Sequence, residues 1–170
     1  MDEVYRQRRY LLSFESWRLP HIFTDVLVIG GGVAGLRAAI EAGRHGRVIV
    51  LCKGRTDESN SYQAQGGLAA VLDPADSIDA HVADTLATGA GLSDEAVVRR
   101  VIGEAPEHIR QLQDWGVAFD TADGRLSLGR EGGHSANRIV HAEGDATGKA
   151  VSEVLAARAR QREAVKLFDA

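Results

Sequence analysis

Cysteine occurs once in this 170-residue chain, at Cys52, which excludes a disulfide framework and a cysteine-built zinc cluster and points to a reducing compartment. A basic excess is missing too. Against 20 Lys and Arg stand 24 Asp and Glu, a net charge of −4, so bulk electrostatics do not favour nucleic acid. No apolar run approaches a membrane span. The longest, Val26 to Leu36, is broken by three consecutive glycines. The opening MDEVYRQRRYLLSFESWRLPHIF is charged and lacks the long apolar segment of a signal peptide. These absences predict a cytoplasmic protein with no membrane and no nucleic-acid partner. Proline (3 residues) and aromatics (5%) are scarce, whereas 44% apolar residues and 19 glycines give a globular composition that excludes disorder.

The length predicts one domain, read as residues 23–170 behind a basic-aromatic lead-in at 1–22. Asp25–Gly30 is a short β-branched run, the pattern of a strand buried on both faces. A glycine turn follows, then a helix from Leu36 to His45, stopped by Gly46, and a second buried strand at Arg47–Leu51. Two strands joined through a helix make a parallel βαβ unit. Residues 53–67 read as a loop and Asp76–Thr88 as a helix. Ser93 reads as the N-cap of a helix that Pro106 kinks or splits and Gly116 stops. Val117–Asp120 and Arg125–Leu128 suggest a hairpin around Asp123-Gly124, residues 129–148 a loop, Lys149–Arg160 a helix and Ala164–Phe168 a last strand. The fold class expected is α/β: a Rossmann-like, doubly wound sheet of order β-α-β, a long insertion, α-β.

The strongest motif is Gly30-x-Gly32-x-x-Gly35, because it follows a strand and opens a helix. The first glycine permits the tight turn, the second lets backbone approach a pyrophosphate, and the third lets helix pack on strand. The helix N-terminus adds free N–H groups and partial positive charge. Gly31, Val33 and Ala34 complete the turn. The acid that ordinarily binds a ribose about 20 residues on is missing. The second strand ends Leu51-Cys52-Lys53-Gly54-Arg55, and no carboxylate appears before Asp57. Either Lys53 or Arg55 holds a 2′-phosphate, giving NADP, or Lys53 and backbone groups hold the adenosine half of a flavin nucleotide. Cys52, Trp17 and Trp115 read as packing residues.

The segment Asn60-Ser61-Tyr62-Gln63-Ala64-Gln65-Gly66-Gly67-Leu68-Ala69-Ala70 resembles the AQGG(I/L)AA loop of the succinate dehydrogenase, fumarate reductase and aspartate oxidase flavoprotein family. The resemblance implies FAD as cofactor, with residues 60–67 lying against the flavin ring. In membrane-bound members a histidine near the start of this loop is covalently tied to FAD. Asn60 stands at that place, and a carboxamide cannot form the bond, so non-covalent FAD is implied.

Within that family, Gly129-Arg130-Glu131-Gly132-Gly133-His134-Ser135, followed by Arg138, His141 and Asp145-Ala-Thr-Gly148, resembles the aspartate oxidases. Glu131 is then the acid that pairs with the ammonium of L-aspartate, and His134 lies near the substrate. The His134 and His141 spacing is weak for a metal pair, and no metal is expected. The implied reaction is FAD-dependent oxidation of L-aspartate to iminoaspartate with O2 or fumarate as acceptor. In the family this opens de novo NAD biosynthesis and feeds quinolinate synthase. A soluble fumarate reductase or succinate dehydrogenase flavoprotein is the neighbouring alternative. A non-catalytic dinucleotide-binding module is the alternative for these residues in isolation. The resemblance runs over residues 23–168, so the capping domain and the catalytic arginine of the family are expected beyond residue 170 and the chain reads as an N-terminal part.

Overall fold

The computed structural model describes residues 20–169, and Trp17 with most of the lead-in lies outside the described residues. Strand β1 (Val26–Ile29) runs into helix α1 (Val33–Ala42), which returns to β2 (Val48–Cys52). Leu36, Ala39 and Ile40, spaced as one helical stripe, are fully buried in α1. The insertion carries a 3-10 turn at Thr56–Glu58, β3 (Leu68–Ala69), α2 (Ile78–Thr88), α3 (Glu95–Trp115), β4 (Thr121–Ala122), β5 (Arg125–Leu126), β6 (Leu128–Gly129) and β7 (Ile139–Val140). The chain then closes with α4 (Thr147–Arg160) and β8 (Val165–Asp169). All strands of the main sheet are parallel, in the order β1-β2-β8, with Val48 opposite both Val26 and Val165. The core gathers Val48, Val50 and Cys52 of β2 with Leu36 and Ile40 of α1 and Leu155 and Ala159 of α4. Cys52 is a packed residue, as expected.

Several expectations need correction. Strand β1 is not buried on both faces: Leu27 is 55% and Ile29 80% exposed, and Leu51 of β2 is exposed beside them. β1 is an edge strand of this sheet. Helix α3 runs through Pro106 unbroken, because its apolar stripe keeps phase across the proline and is anchored by buried Ile102 before it and Ile109 after it. Its N-cap is Asp94 rather than Ser93: the Asp94 carboxylate accepts from the Val97 N–H at 3.1 Å. The hairpin is shorter than expected. Asp123 (φ 52°) and Gly124 (φ 74°) form the turn, but Val117 and Phe119 are core residues rather than strand.

Residues 129–148 are more than loop. Within them β7 pairs antiparallel with β3 on one side and β6 on the other, Val140 facing both Leu68 and Leu128. Residues 130–138 are therefore the loop of a β6–β7 hairpin, and β3 begins directly after Gly67. This small sheet fastens the glycine-rich loop to the segment that carries Glu131 and His134.

The turn between β1 and α1 separates two uses of glycine. A Cβ on Gly35 would collide with the Gly30 carbonyl oxygen, whereas one on Gly30 meets nothing but has to accept φ +109°. Gly30→Ala is expected to cost about 1–2 kcal/mol, the penalty of left-handed backbone alone. Gly35→Ala is expected to cost about 3 kcal/mol, since helix and strand must separate. Denaturant melts of the two variants read the difference.

Candidate functional site

The α1 N-terminus is open. Its cap is Gly32, which offers no side chain, and the first helical N–H, that of Val33, donates to the Ser61 hydroxyl at 3.2 Å. The glycine turn and residues 59–61 are thus brought together although the sequence separates them. Gly30, Gly31 and Gly32 face Lys53, Glu58 and Asn60 across a cavity of about 570 Å³. The lining, a glycine turn at an open helix end with one cation and one carboxylate, suits the phosphate-and-ribose part of a dinucleotide. A Cβ on Gly32 would point to within 3.0 Å of the Ser61 hydroxyl, into the cradle where a pyrophosphate would meet the helix end. Lys53 supplies a cation, and Glu58 a carboxylate able to accept from ribose hydroxyls. Glu58 was not singled out from the sequence, because the ribose acid is sought at the strand end and here the Thr56–Glu58 turn carries it back to the cavity.

The other residues expected at the cofactor are distributed differently. Val33, Ser61, Ala64 and Gly67 line a second, apolar cavity of about 570 Å³ against Ile109 and Leu112 of α3. Tyr62 turns away and donates to Glu153 of α4 at 3.1 Å. The Gln63 and Gln65 amides reach the Asp57 carbonyl and the Asp145 carboxylate at 3.5 Å each. Gly66 is open to solvent, and Ala34 and Gly35 line neither cavity. The Asp145–Gly148 motif acts as a seat for this loop. The Gly148 N–H donates to the Ala64 carbonyl at 2.9 Å, and a Cβ there would strike the Ser61 carbonyl oxygen. The Thr147 hydroxyl accepts from the Ala142 N–H at 3.1 Å, joining the end of the hairpin to α4.

The 130–138 loop is held from below by an ion cluster. Arg138 is fully buried. Its Nε and Nη2 each donate to Asp76 at 2.8 Å, and its Nη1 donates to Asp84 of α2 at 2.6 Å. Asp84 also accepts from the Ser135 N–H at 2.8 Å and the Ser135 hydroxyl at 2.7 Å. Both carboxyls sit below the usual carboxylate range, Asp84 through Ser135 and Arg138, Asp76 through Arg138. His134 is half-buried in a cleft of about 350 Å³ beside Thr85, Thr88 and Gly133. The rings of His134 and buried His81 lie 5.3 Å apart. Glu131 stands on the exposed outer part of the loop, its carboxylate 3.9 Å from His141 Nε2. His134 and His141 do not converge on one point: the first faces Arg138 and the second Glu131. Trp115 packs under Arg37 and Arg158, with guanidinium-to-ring distances of 5.4 and 4.6 Å.

Burial, and then the Arg138 charge, push His81 below its ordinary 6.5. Because His81 binds its proton less readily folded than unfolded, its contribution to stability is complete above about pH 6.5 and declines as pH falls below that. Asp76 and Asp84 have the same sign: their contributions are present above about pH 3.8 and are lost as they protonate. Thermal melts across pH are expected to show a first decline below pH 6.5 that His81→Gln removes, and a second in the carboxylate range that it leaves intact.

Comparison with known proteins identifies the family and the fold. Residues 25–170 match the FAD binding domain family. A chloroplastic L-aspartate oxidase of Oryza sativa is 46% identical over 147 residues, which are 86% of this chain and 23% of that protein. An L-aspartate oxidase of Vibrio cholerae is 50% identical over 137 residues, 77% of this chain and 25% of its own. Among solved structures, the quinol fumarate reductase of E. coli superposes with a TM-score of 0.81 at 32% identity, over 86% of this chain and 26% of that one. The Mycobacterium smegmatis Sdh1 complex gives 0.79 at 33% identity, over 85% and 27%. The chain spans about a quarter of the length of these relatives. No helix among the described residues is long and apolar enough to cross a membrane. With a glycine cradle, an open helix end and a match over nearly all of its length, this chain belongs to the FAD-binding domain family of flavoproteins.

Proposed function

We propose that the whole protein is an L-aspartate oxidase that converts L-aspartate to iminoaspartate, with O2 or fumarate as the final acceptor. FAD, when bound, supplies the two-electron acceptor. The residues of this chain bind and orient. Gly30, Gly31 and Gly32 with Lys53 would hold the adenosine diphosphate half, Glu58 its ribose, and Asn60 would stand at the flavin end. Ser61, Ala64, Gly66 and Gly67 would back the flavin ring, with Gly148 fixing the loop. Glu131 would take the substrate ammonium and His134 a substrate carboxylate. The observation that supports the reading is the β3-β7-β6 sheet, which sets the glycine-rich loop and the Glu131 loop on adjoining strands. The same reading places the protein in the cytoplasm, at the entry to NAD biosynthesis, with its product passed to quinolinate synthase. Acid precipitation is expected to release all the yellow colour to the supernatant, because Asn60 cannot tether FAD. Colour retained in the pellet would refute non-covalent binding.

Glu131→Gln tests the substrate. A charge-assisted bond to an ammonium is worth about 1.5–3 kcal/mol. Because Glu131 is 57% exposed, solvent screening sets the expectation at the low end. Aspartate kcat/KM is expected to fall about 10-fold, since about 1.4 kcal/mol is tenfold. Succinate has no ammonium, so its inhibition constant is expected to stay the same or improve. Equal weakening of both would favour the second reading, a soluble fumarate reductase or succinate dehydrogenase flavoprotein, which the similarity to quinol fumarate reductase also supports.

A further inference from the structure

We propose that Arg138, clamped by Asp76 and Asp84, is a positioning residue that sets His134 as an Nε2–H donor toward a substrate carboxylate. The choice of carboxylate acceptor rests on the function proposed above; the state of the ring does not.

The argument starts from what a guanidinium can do. It carries five N–H groups and no acceptor. Arg138 Nη1 lies 3.2 Å from His134 Nδ1. In that contact the arginine gives and Nδ1 takes, so Nδ1 carries no proton and the ring proton sits on Nε2. Arg138 cannot swing away from this task. Its side chain is fully buried, Asp76 takes two of its donors as a fork, and Asp84 takes Nη1. The histidine side is fixed as well. Ser135, the next residue, is bonded to Asp84 through both its N–H and its hydroxyl, and the His134 N–H donates to the Glu131 carbonyl at 3.3 Å. The ring is flanked by His81 and Asp84 of α2 and by Arg138 of its own loop. Nothing among the described residues hydrogen-bonds Nε2, and His134 lines the 350 Å³ cleft. Nε2 therefore offers a proton to an anionic acceptor and is not placed to take one as a general base. Ion cluster, loop and histidine form one device: two acids set one arginine, and the arginine sets the donor nitrogen.

The test uses the whole flavin-loaded protein labelled with 15N at histidine, the His134 signal being identified by its loss in His134→Gln. The expected spectrum has an unprotonated Nδ1 and a protonated Nε2. Arg138→Lys keeps the charge but not the fork. It is expected to lose this signature and to raise KM for aspartate roughly 10- to 100-fold, with a smaller change in kcat and unchanged FAD content. Asp84→Asn is expected to act in the same direction. His134→Gln retains an N–H donor and is expected to lose less than His134→Leu. A proton on Nδ1 in the unaltered protein would overturn the proposal, as would equal loss in the Gln and Leu variants. Should Arg138→Lys fail to fold, the unaltered spectrum and the His134 pair decide. Succinate separates the two levels of inference. Because it carries carboxylates, the His134 variants should weaken it as they weaken aspartate, even if the Glu131 test goes against aspartate as substrate.

Discussion

One two-residue strand, β7, joins the glycine-rich loop to the loop that carries Glu131 and His134. Ile139 and Val140 are buried and paired on both edges, to β3 on one side and β6 on the other. The residue before them, Arg138, extends the pairing through its backbone: its N–H donates to the Gly129 carbonyl, and its carbonyl accepts from the Ala70 N–H, each at 2.9 Å. Its side chain reaches Asp76 and Asp84 instead. A single residue thus ties the ends of two loops in backbone and anchors one of them to α2 in side chain. Removing that cation would leave the buried Asp76 carboxylate without its counter-ion, with only the Ser77 N–H among the described residues still bonded to it, and breaking a buried ion pair in this way generally costs about 3–5 kcal/mol.

How much of this could be read from the sequence follows from where the information lies. The β1-α1-β2 unit announces itself because β-branched runs and an apolar helical stripe recur at fixed local periods. Strands β3 and β7 have two residues each, too few for any period, so only pairing reveals them. The ion cluster is invisible for another reason. Arg138 sits 62 residues from Asp76 and 54 from Asp84, and nothing local marks three charges as partners. Glu58 escaped notice because a 3-10 turn, not the strand end, delivers it to the cavity. Pro106 misled in the opposite sense: the local rule predicted a kink or a split, and the helix is not split, with Ile102 and Ile109 buried on either side of the proline.

The three sequence motifs also turn out to be one assembly. The Val33 N–H donates to Ser61, Ser61 and Ala64 rest on Gly148, and Gly67 leads into the strand that pairs with β7. Each glycine has a different job at these junctions. Gly35 and Gly148 are glycines because backbone lies where a Cβ would be, and Gly30 because its φ is positive. The Asp145–Gly148 motif is a seat built from several contacts: Gly148 under Ser61 and Ala64, Asp145 to the Gln65 amide, and Thr147 to the Ala142 N–H.

The 130–138 loop is tethered at Gly129, His134, Ser135 and Arg138, whereas Gly132 is exposed and the Glu131 side chain projects outward, 57% exposed, with His141 at 3.9 Å. That division bears on how such proteins diversify. A point change at position 131 alters which charge greets the incoming molecule without shifting the register of β6 on β7 or disturbing the ions beneath. On the function proposed above, selectivity and architecture would be separable heritable traits: a lineage could explore new preferences through single substitutions at the loop tip while the frame beneath is passed on intact.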